Sequence, residues 1–298
     1  MIEGRKDMFK GSMVALITPF NEDGSVNFAK LRELVDWHIA EGTDSILALG
    51  TTAETPTLTM SEADEIAKTV IEQANGRVPV IVGSGSNNTM VAKEQSLKYE
   101  KMGADGLLVI TPYYNKCTDA GLISHFTTVA DAVHTPVWVY HVPGRTGVKI
   151  SYNALAEISK HPNIVGLKEA SGDMSLVCQY AKLINDDFNI YSGNDDINVP
   201  ILSVGGAGVI SVLANILPGV THNIVMDYLK GDVVKAKDEH LKHLDFINAL
   251  FIETNPIPIK EAMNMVGMNV GQFRQPLVPM QEGTRAALRN TMVELGLL

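Results

Sequence analysis

Eight short apolar runs, each followed by a stretch of helical periodicity, set the tightest limit on how this chain folds. They cover residues 14–17, 45–49, 79–83, 106–111, 136–140, 164–168, 188–192 and 208–212. All are rich in Val, Ile and Leu with little apolar–polar alternation, as expected of parallel strands covered on both faces. Between them, residues 27–41 place Phe28, Leu31, Leu34, Val35 and His38 at helical spacing. Ser61 opens another helical stretch, with Glu62 and Asp64 in its first turn. Alternation without a long linker predicts the α/β class and a closed (β/α)₈ TIM barrel. An open doubly wound sheet would place a Gly-rich phosphate turn after the first strand, where this chain has Thr18-Pro19-Phe20-Asn21.

The residues beyond 212 are too many for one closing helix. Helical patterns at 217–229, 233–251, 259–266 and 284–295, punctuated by Pro256 and Pro258, predict a helical C-terminal extension. Pro218 is tolerated because it falls in an opening turn. The expected division is a catalytic barrel over 8–230 and an extension packed on it over 231–298. Residues 1–7 contain Ile2-Glu3-Gly4-Arg5, a protease-recognition sequence of the kind placed ahead of recombinant proteins. They are either such a leader before Met8 or the natural N-terminus, and they carry no functional argument.

A net charge of −10 argues against nucleic acid or an anionic membrane as the main partner, although a local positive pocket for a small anion is compatible with it. Cys117 and Cys178 stand far apart and form no metal-ligand framework, so both are expected to be free thiols in a reducing compartment. The apolar stretch 12–20 is short, contains Pro19 and runs into Asn21, Glu22 and Asp23, unlike a secretory signal. Residues 205–220 are interrupted by Asn215 and Pro218 and fall short of the ~20 residues of a membrane span. The expectation is a soluble, cytoplasmic protein acting on small molecules.

In barrels of this kind the site lies at the C-terminal ends of the strands. Lys168 ends the sixth run, between apolar flanks that should deny its ammonium water. Burial lowers a lysine pKa and yields an amine able to form a Schiff base with a carbonyl substrate. The competing reading is a strand-end lysine that reaches water or pairs with a carboxylate such as Glu169. After the second run, Thr51 and Thr52 offer hydroxyls for a carboxylate and a proton relay, or else a helix-capping turn. Tyr113 and Tyr114 follow the fourth run and, read alone, suit packing in a core or an interface. Tyr140 and Arg145 flank a sharp turn after the fifth run, a proton shuttle beside an anion clamp or a solvated surface turn. Gly193 and Asp195 end the seventh run, and Ile210 and Ser211 lie in the eighth. Convergence on one face favours carbon–carbon bond chemistry through an enamine, in which a 2-oxo acid condenses with Lys168. That route needs proton shuttles and no metal.

The motifs Gly50-Thr-Thr-x-Glu54, Thr111-Pro-Tyr-Tyr-Asn115, Tyr140-x-Val-Pro-x-Arg-Thr-Gly147, Gly166-Leu-Lys-Glu-Ala-Ser-Gly172 and Asn255-Pro-Ile-Pro-x-Lys260 occur in this order. With them the chain, from about Phe9 to Leu298, resembles the dihydrodipicolinate synthase family of pyruvate-dependent class I aldolases, which includes N-acetylneuraminate lyase. The resemblance implies that Lys168 forms the pyruvate Schiff base, with no other cofactor, and that Tyr140 donates and accepts protons. It implies a relay completed by Thr51 and by Tyr114 from a neighbouring subunit of a homotetramer built as a dimer of dimers. Thr51 and Thr52 would hold the pyruvate carboxylate, Arg145 the carboxylate of L-aspartate 4-semialdehyde, and Gly193 and Ile210 would line the pocket. Arg145, and Tyr114 after Tyr113, favour the synthase branch, which makes 4-hydroxy-tetrahydrodipicolinate for lysine and diaminopimelate biosynthesis. The alternatives are a sialic acid or 2-keto-3-deoxy sugar acid lyase and a non-catalytic 2-oxo acid binder.

Ala53 and His141 depart from the family's usual glycine and asparagine. In a region where lysine-inhibited relatives bind the inhibitor, Val91 and Ala63 replace glutamate and histidine, while Asn87 and Tyr113 are kept. Loss of the acidic partner implies weak or absent feedback by L-lysine.

Overall fold

A computed structural model describes residues 9–298. Positions 1–7 and Met8 lie outside the described residues. Parallel strands β1 (Gly11–Ala15), β2 (Ser45–Ala48), β3 (Val80–Gly83), β4 (Gly106–Ile110), β5 (Val137–His141), β6 (Ile164–Glu169), β7 (Asn189–Ser192) and β8 (Gly208–Ser211) close into a barrel in sequence order. Strands β2 to β8 lie within one or two residues of the predicted runs. The first strand is displaced: it starts at Gly11, three residues before the apolar run at 14–17. Closure explains the shift, since Gly11–Val14 pair with Gly208–Ser211. A Cβ on Gly208 would collide with the Gly11 carbonyl oxygen, so small residues are required where the sequence pattern sought bulky ones.

The helices outside the sheet are α1 (Phe28–Ala40), α2 (Met60–Ala74), α3 (Thr89–Met102), α4 (Asp119–Ala130), α5 (Pro143–Thr146), α6 (Tyr152–Ile158), α7 (Met174–Tyr180), α8 (Asn198–Ser203) and α9 (Pro218–Leu229). Helix α2 begins one residue before Ser61, because Thr59 and Glu62 form a reciprocal capping box that satisfies two otherwise unpaired amides. Beyond the barrel come α10 (Val233–Ala249), α11 (Ile257–Met265) and α12 (Glu282–Glu294). The sequence pattern starts the second of these at 259, but α11 begins at Ile257 because Pro258 sits in its first turn, where its missing amide is harmless.

Apolar side chains fill two regions. Met13, Leu47, Leu108, Trp138, Tyr191 and Ile210 pack inside the barrel. A larger layer between strands and helices includes Val14, Ile46, Val82, Val109, Val139 and Leu167. No helix among the described residues is long and apolar enough to cross a membrane.

The C-terminal helices are tied to the barrel by a buried ion pair. Lys260 of α11 and Glu54, just after β2, are both inaccessible to solvent, with Nζ 2.8 Å from Oε1. Nζ also donates to the carbonyls of Thr18 (3.2 Å) and Gln272 (2.6 Å), so all three of its protons are used. Glu54 Oε2 accepts from the Arg274 amide at 3.0 Å. A buried pair is tolerated when the remaining lone pairs and protons find partners, as they do here.

Candidate active site

Neighbouring strands place the two central side chains. Tyr140 on β5 and Lys168 on β6 are register partners and therefore point to the same face of the sheet. The Lys168 ammonium nitrogen lies 4.4 Å from the centre of the Tyr140 ring. Both are buried, at 5% and 7% exposure, which excludes the solvated strand-end reading of Lys168. Glu169 points elsewhere and is occupied by His141 and the Ser171 amide.

Burial pulls the Lys168 pKa down from 10.5 to about 7; the Arg145 charge pushes the same way and the Asp195 carboxylate opposes both. At neutral pH a far larger share of this amine is therefore unprotonated than of an ordinary lysine, which is almost wholly charged. Burial raises the Tyr140 phenol, against a hydrogen bond from Thr51 and the Arg145 charge. A phenol that stays protonated beside a partly neutral amine is suited to delivering and recovering protons.

Thr51 and Thr52 lie in a short 3₁₀ turn directly after β2. Arg145 lies in α5, directly beyond β5, and its Nη2 donates to the Asn255 carbonyl at 3.0 Å. Thr51, Tyr140, Arg145, Tyr113 and Ala63 all border one cavity of about 400 Å³. Lys168, Thr52, Gly193 and Ile210 are not on its wall; Lys168 lies in van der Waals reach of the Tyr140 ring, which is. The Gly193 amide donates to the Glu169 carbonyl at 2.7 Å. A Cβ there would approach Lys168 Cε to 3.1 Å and Ala170 Cβ to 2.8 Å, so glycine keeps room around the amine. Ile210 is buried among the side chains inside the barrel.

Tyr114 is not gathered into this site. It is 91% exposed with a left-handed backbone (φ 69°) and does not border the cavity. Tyr113 is held by its own carbonyl, which accepts from Asn87 Nδ2 at 3.2 Å. Val91 lies in the first turn of α3 and, like Ala63 of α2, brings no charge to the region.

Three groups around the site carry roles that residue types alone did not reveal. Asp195 is buried and accepts from the amides of Val212 and Leu213 at 2.8 and 2.9 Å, joining the ends of β7 and β8. His141 Nδ1 lies 2.7 Å from Glu169 Oε2, and its Nε2 accepts from the Ile150 amide at 3.3 Å. An Nε2 that accepts fixes the proton on Nδ1, so a neutral imidazole donates to Glu169. Asn255, third, donates from its side-chain amide to Thr52 Oγ1 at 3.1 Å. Its place in the Asn255–Lys260 motif was visible in sequence, but a contact spanning 203 residues was not.

The sequence profile of the dihydrodipicolinate synthetase family matches residues 8–295. A 4-hydroxy-tetrahydrodipicolinate synthase of Caldicellulosiruptor saccharolyticus is 53% identical over 97% of this chain and 98% of its own length. The enzyme of that name from a Thermoanaerobacter species is 51% identical over 98% of each chain. The crystal structure of a dihydrodipicolinate synthase from Thermotoga maritima superposes with a TM-score of 0.95 at 39% identity, covering 98% of this chain and all of the other. With this fold and a partly neutral lysine in register with a buried tyrosine, the chain belongs to the dihydrodipicolinate synthetase family.

Proposed function

We propose that the protein is a 4-hydroxy-tetrahydrodipicolinate synthase, a lyase that condenses pyruvate with L-aspartate 4-semialdehyde. The observation that carries this reading is the buried Lys168 amine held against the Tyr140 ring.

The neutral Lys168 amine attacks C2 of pyruvate, and the resulting carbinolamine loses its hydroxyl as water on receiving a proton from Tyr140. The iminium withdraws electrons from C3, which gives up a proton and becomes an enamine carbon. That carbon attacks the aldehyde of the second substrate, whose oxygen takes a proton as the C–C bond forms. The substrate's own amine then attacks C2 and releases Lys168. One water is lost overall, and the Schiff base itself serves as the electron sink.

Tyr140 is placed to move these protons because it contacts Lys168 on one side and hydrogen-bonds Thr51 on the other. Arg145 on the cavity wall supplies a cation for the aldehyde's carboxylate, which favours this substrate over sugar acids that present hydroxyls. Tyr114, exposed and outside its own chain's cavity, completes the relay of a neighbouring protomer in a homotetramer of the cytoplasm.

Borohydride reduction in the presence of pyruvate tests the reading. One covalent pyruvate-derived adduct on Lys168, together with condensation when the semialdehyde is added, supports it. An unmodified Lys168 after reduction rejects it.

A further inference from the structure

Asn255 stands between the two groups assigned to substrate carboxylates. Its backbone carbonyl accepts from Arg145 Nη2 at 3.0 Å, and its side-chain Nδ2 donates to Thr52 Oγ1 at 3.1 Å. The residue is 6% exposed, and it opens the segment whose α11 is clamped by the Lys260–Glu54 pair. Glu54 closes the same turn that carries Thr51 and Thr52. The hydroxyl-bearing turn and the Asn255 segment are thus fixed to each other at two points, one neutral and one ionic.

The direction of the Thr52 bond matters. A threonine hydroxyl has one proton and can also accept. When Asn255 Nδ2 fills the acceptor position, the Thr52 proton is free for another oxygen. Were the amide reversed, Thr52 would spend that proton on Asn255. A carboxylate needs donors, so only the first orientation leaves Thr52 useful to one.

We infer that Asn255 is a positioning residue for pyruvate: by donating to Thr52 it reserves the threonine proton for the substrate carboxylate, while its carbonyl restrains Arg145. This rests on the proposed function and on the assignment of Thr52 to the pyruvate carboxylate that the family resemblance implies. A side-chain substitution leaves the carbonyl in place, so the two substrates should respond unequally.

The test is steady-state kinetics of Asn255→Leu, close to asparagine in shape but without polar atoms, and Asn255→Ala, with Thr52→Val and the Thr52→Val/Asn255→Leu double variant. Asn255→Leu and Asn255→Ala should each raise the pyruvate KM about ten-fold, the scale of one lost buried hydrogen bond, with the semialdehyde KM within about two-fold of wild type on the same basis. The double variant should be no worse for pyruvate than Thr52→Val alone, since both remove one coupled function. Multiplicative losses in the double variant, or an unchanged pyruvate KM in Asn255→Leu, overturn the inference. So does a parallel fall of kcat and both KM responses with a lowered melting temperature, which marks a packing role. Borohydride trapping of wild type with pyruvate separates the two levels: no adduct defeats the functional reading itself, whereas a normal adduct with additive losses defeats only the role of Asn255.

Discussion

Tyr140 and Lys168 face each other across adjacent strands, with the ammonium nitrogen 4.4 Å from the ring centre. Burial of the amine outweighs the opposing charge of the Asp195 carboxylate, so the pKa falls to about 7. Only the neutral amine is a nucleophile. Adduct formation with pyruvate should therefore rise through pH 7 and level off near pH 8, well below the 10.5 of an ordinary lysine. Borohydride trapping rates between about pH 5.5 and 9.5 check this, and a rate still climbing steeply above pH 9 contradicts it.

The same burial burdens the fold. A lysine whose folded pKa lies below its unfolded value binds fewer protons when folded, so its contribution to stability improves as pH rises from 7 towards 10.5. Below pH 7 the full penalty of a buried ammonium is present. Lys168→Met should thus raise the melting temperature while abolishing the adduct, with a larger gain at pH 6 than at pH 9. Calorimetry at the two pH values measures the difference. A destabilised variant, or an equal gain at both, removes desolvation as the dominant effect.

Local sequence carried most of the barrel because seven strands are apolar runs whose neighbours in sequence are also neighbours in the sheet. The first strand was misplaced because its pairing with β8 joins distant segments and selects glycine. The candidate site divides in the same way. Lys168, Tyr140 and the threonine turn sit at strand ends, where position along the chain predicts position in space. Asn255–Thr52 and Lys260–Glu54 do not, since each joins residues more than 200 positions apart and only tertiary packing chooses the partner. His141 was legible as a departure from the family pattern. Its bond to Glu169 required the registered ends of β5 and β6.

His141 and Glu169 are wholly buried and adjoin Tyr140 and Lys168, respectively. The imidazole links Glu169 to the Ile150 amide, beyond the turn that carries Arg145. Removing it leaves a buried carboxylate oxygen and a buried amide without partners. His141→Ala should cost about 2–4 kcal/mol by denaturant unfolding. His141→Asn keeps a donor and an acceptor and should lose less than half of that. If alanine and asparagine are equally tolerated, the hydrogen bonds do not hold these strand ends.

Tyr114 combines near-complete exposure with a left-handed backbone, an unfavourable arrangement for a large side chain left in water. If it serves a neighbouring protomer, activity should depend on assembly. Tyr114→Trp should weaken association and reduce kcat per subunit, with activity and the oligomer fraction falling together on dilution. Analytical ultracentrifugation beside assays over the same concentrations provides the check. A fully active monomer would show that this tyrosine is not supplied across an interface.

Feedback by L-lysine depends on a charge partner for its two ammonium groups. Val91 occupies the first turn of α3, and Ala63 borders the cavity from α2 beside Tyr113. Neither can supply the carboxylate or the imidazole that the family resemblance implies for lysine-inhibited relatives. Asn87, bonded to the Tyr113 carbonyl, retains only neutral contacts. The loss of a buried ionic contact is worth on the order of 2–5 kcal/mol, or at least about thirty-fold in affinity. Lysine at about 1 mM should therefore leave the condensation rate nearly unchanged, and Val91→Glu should increase sensitivity. Half-inhibition below that concentration in the unmodified protein would place the inhibitor on contacts other than these.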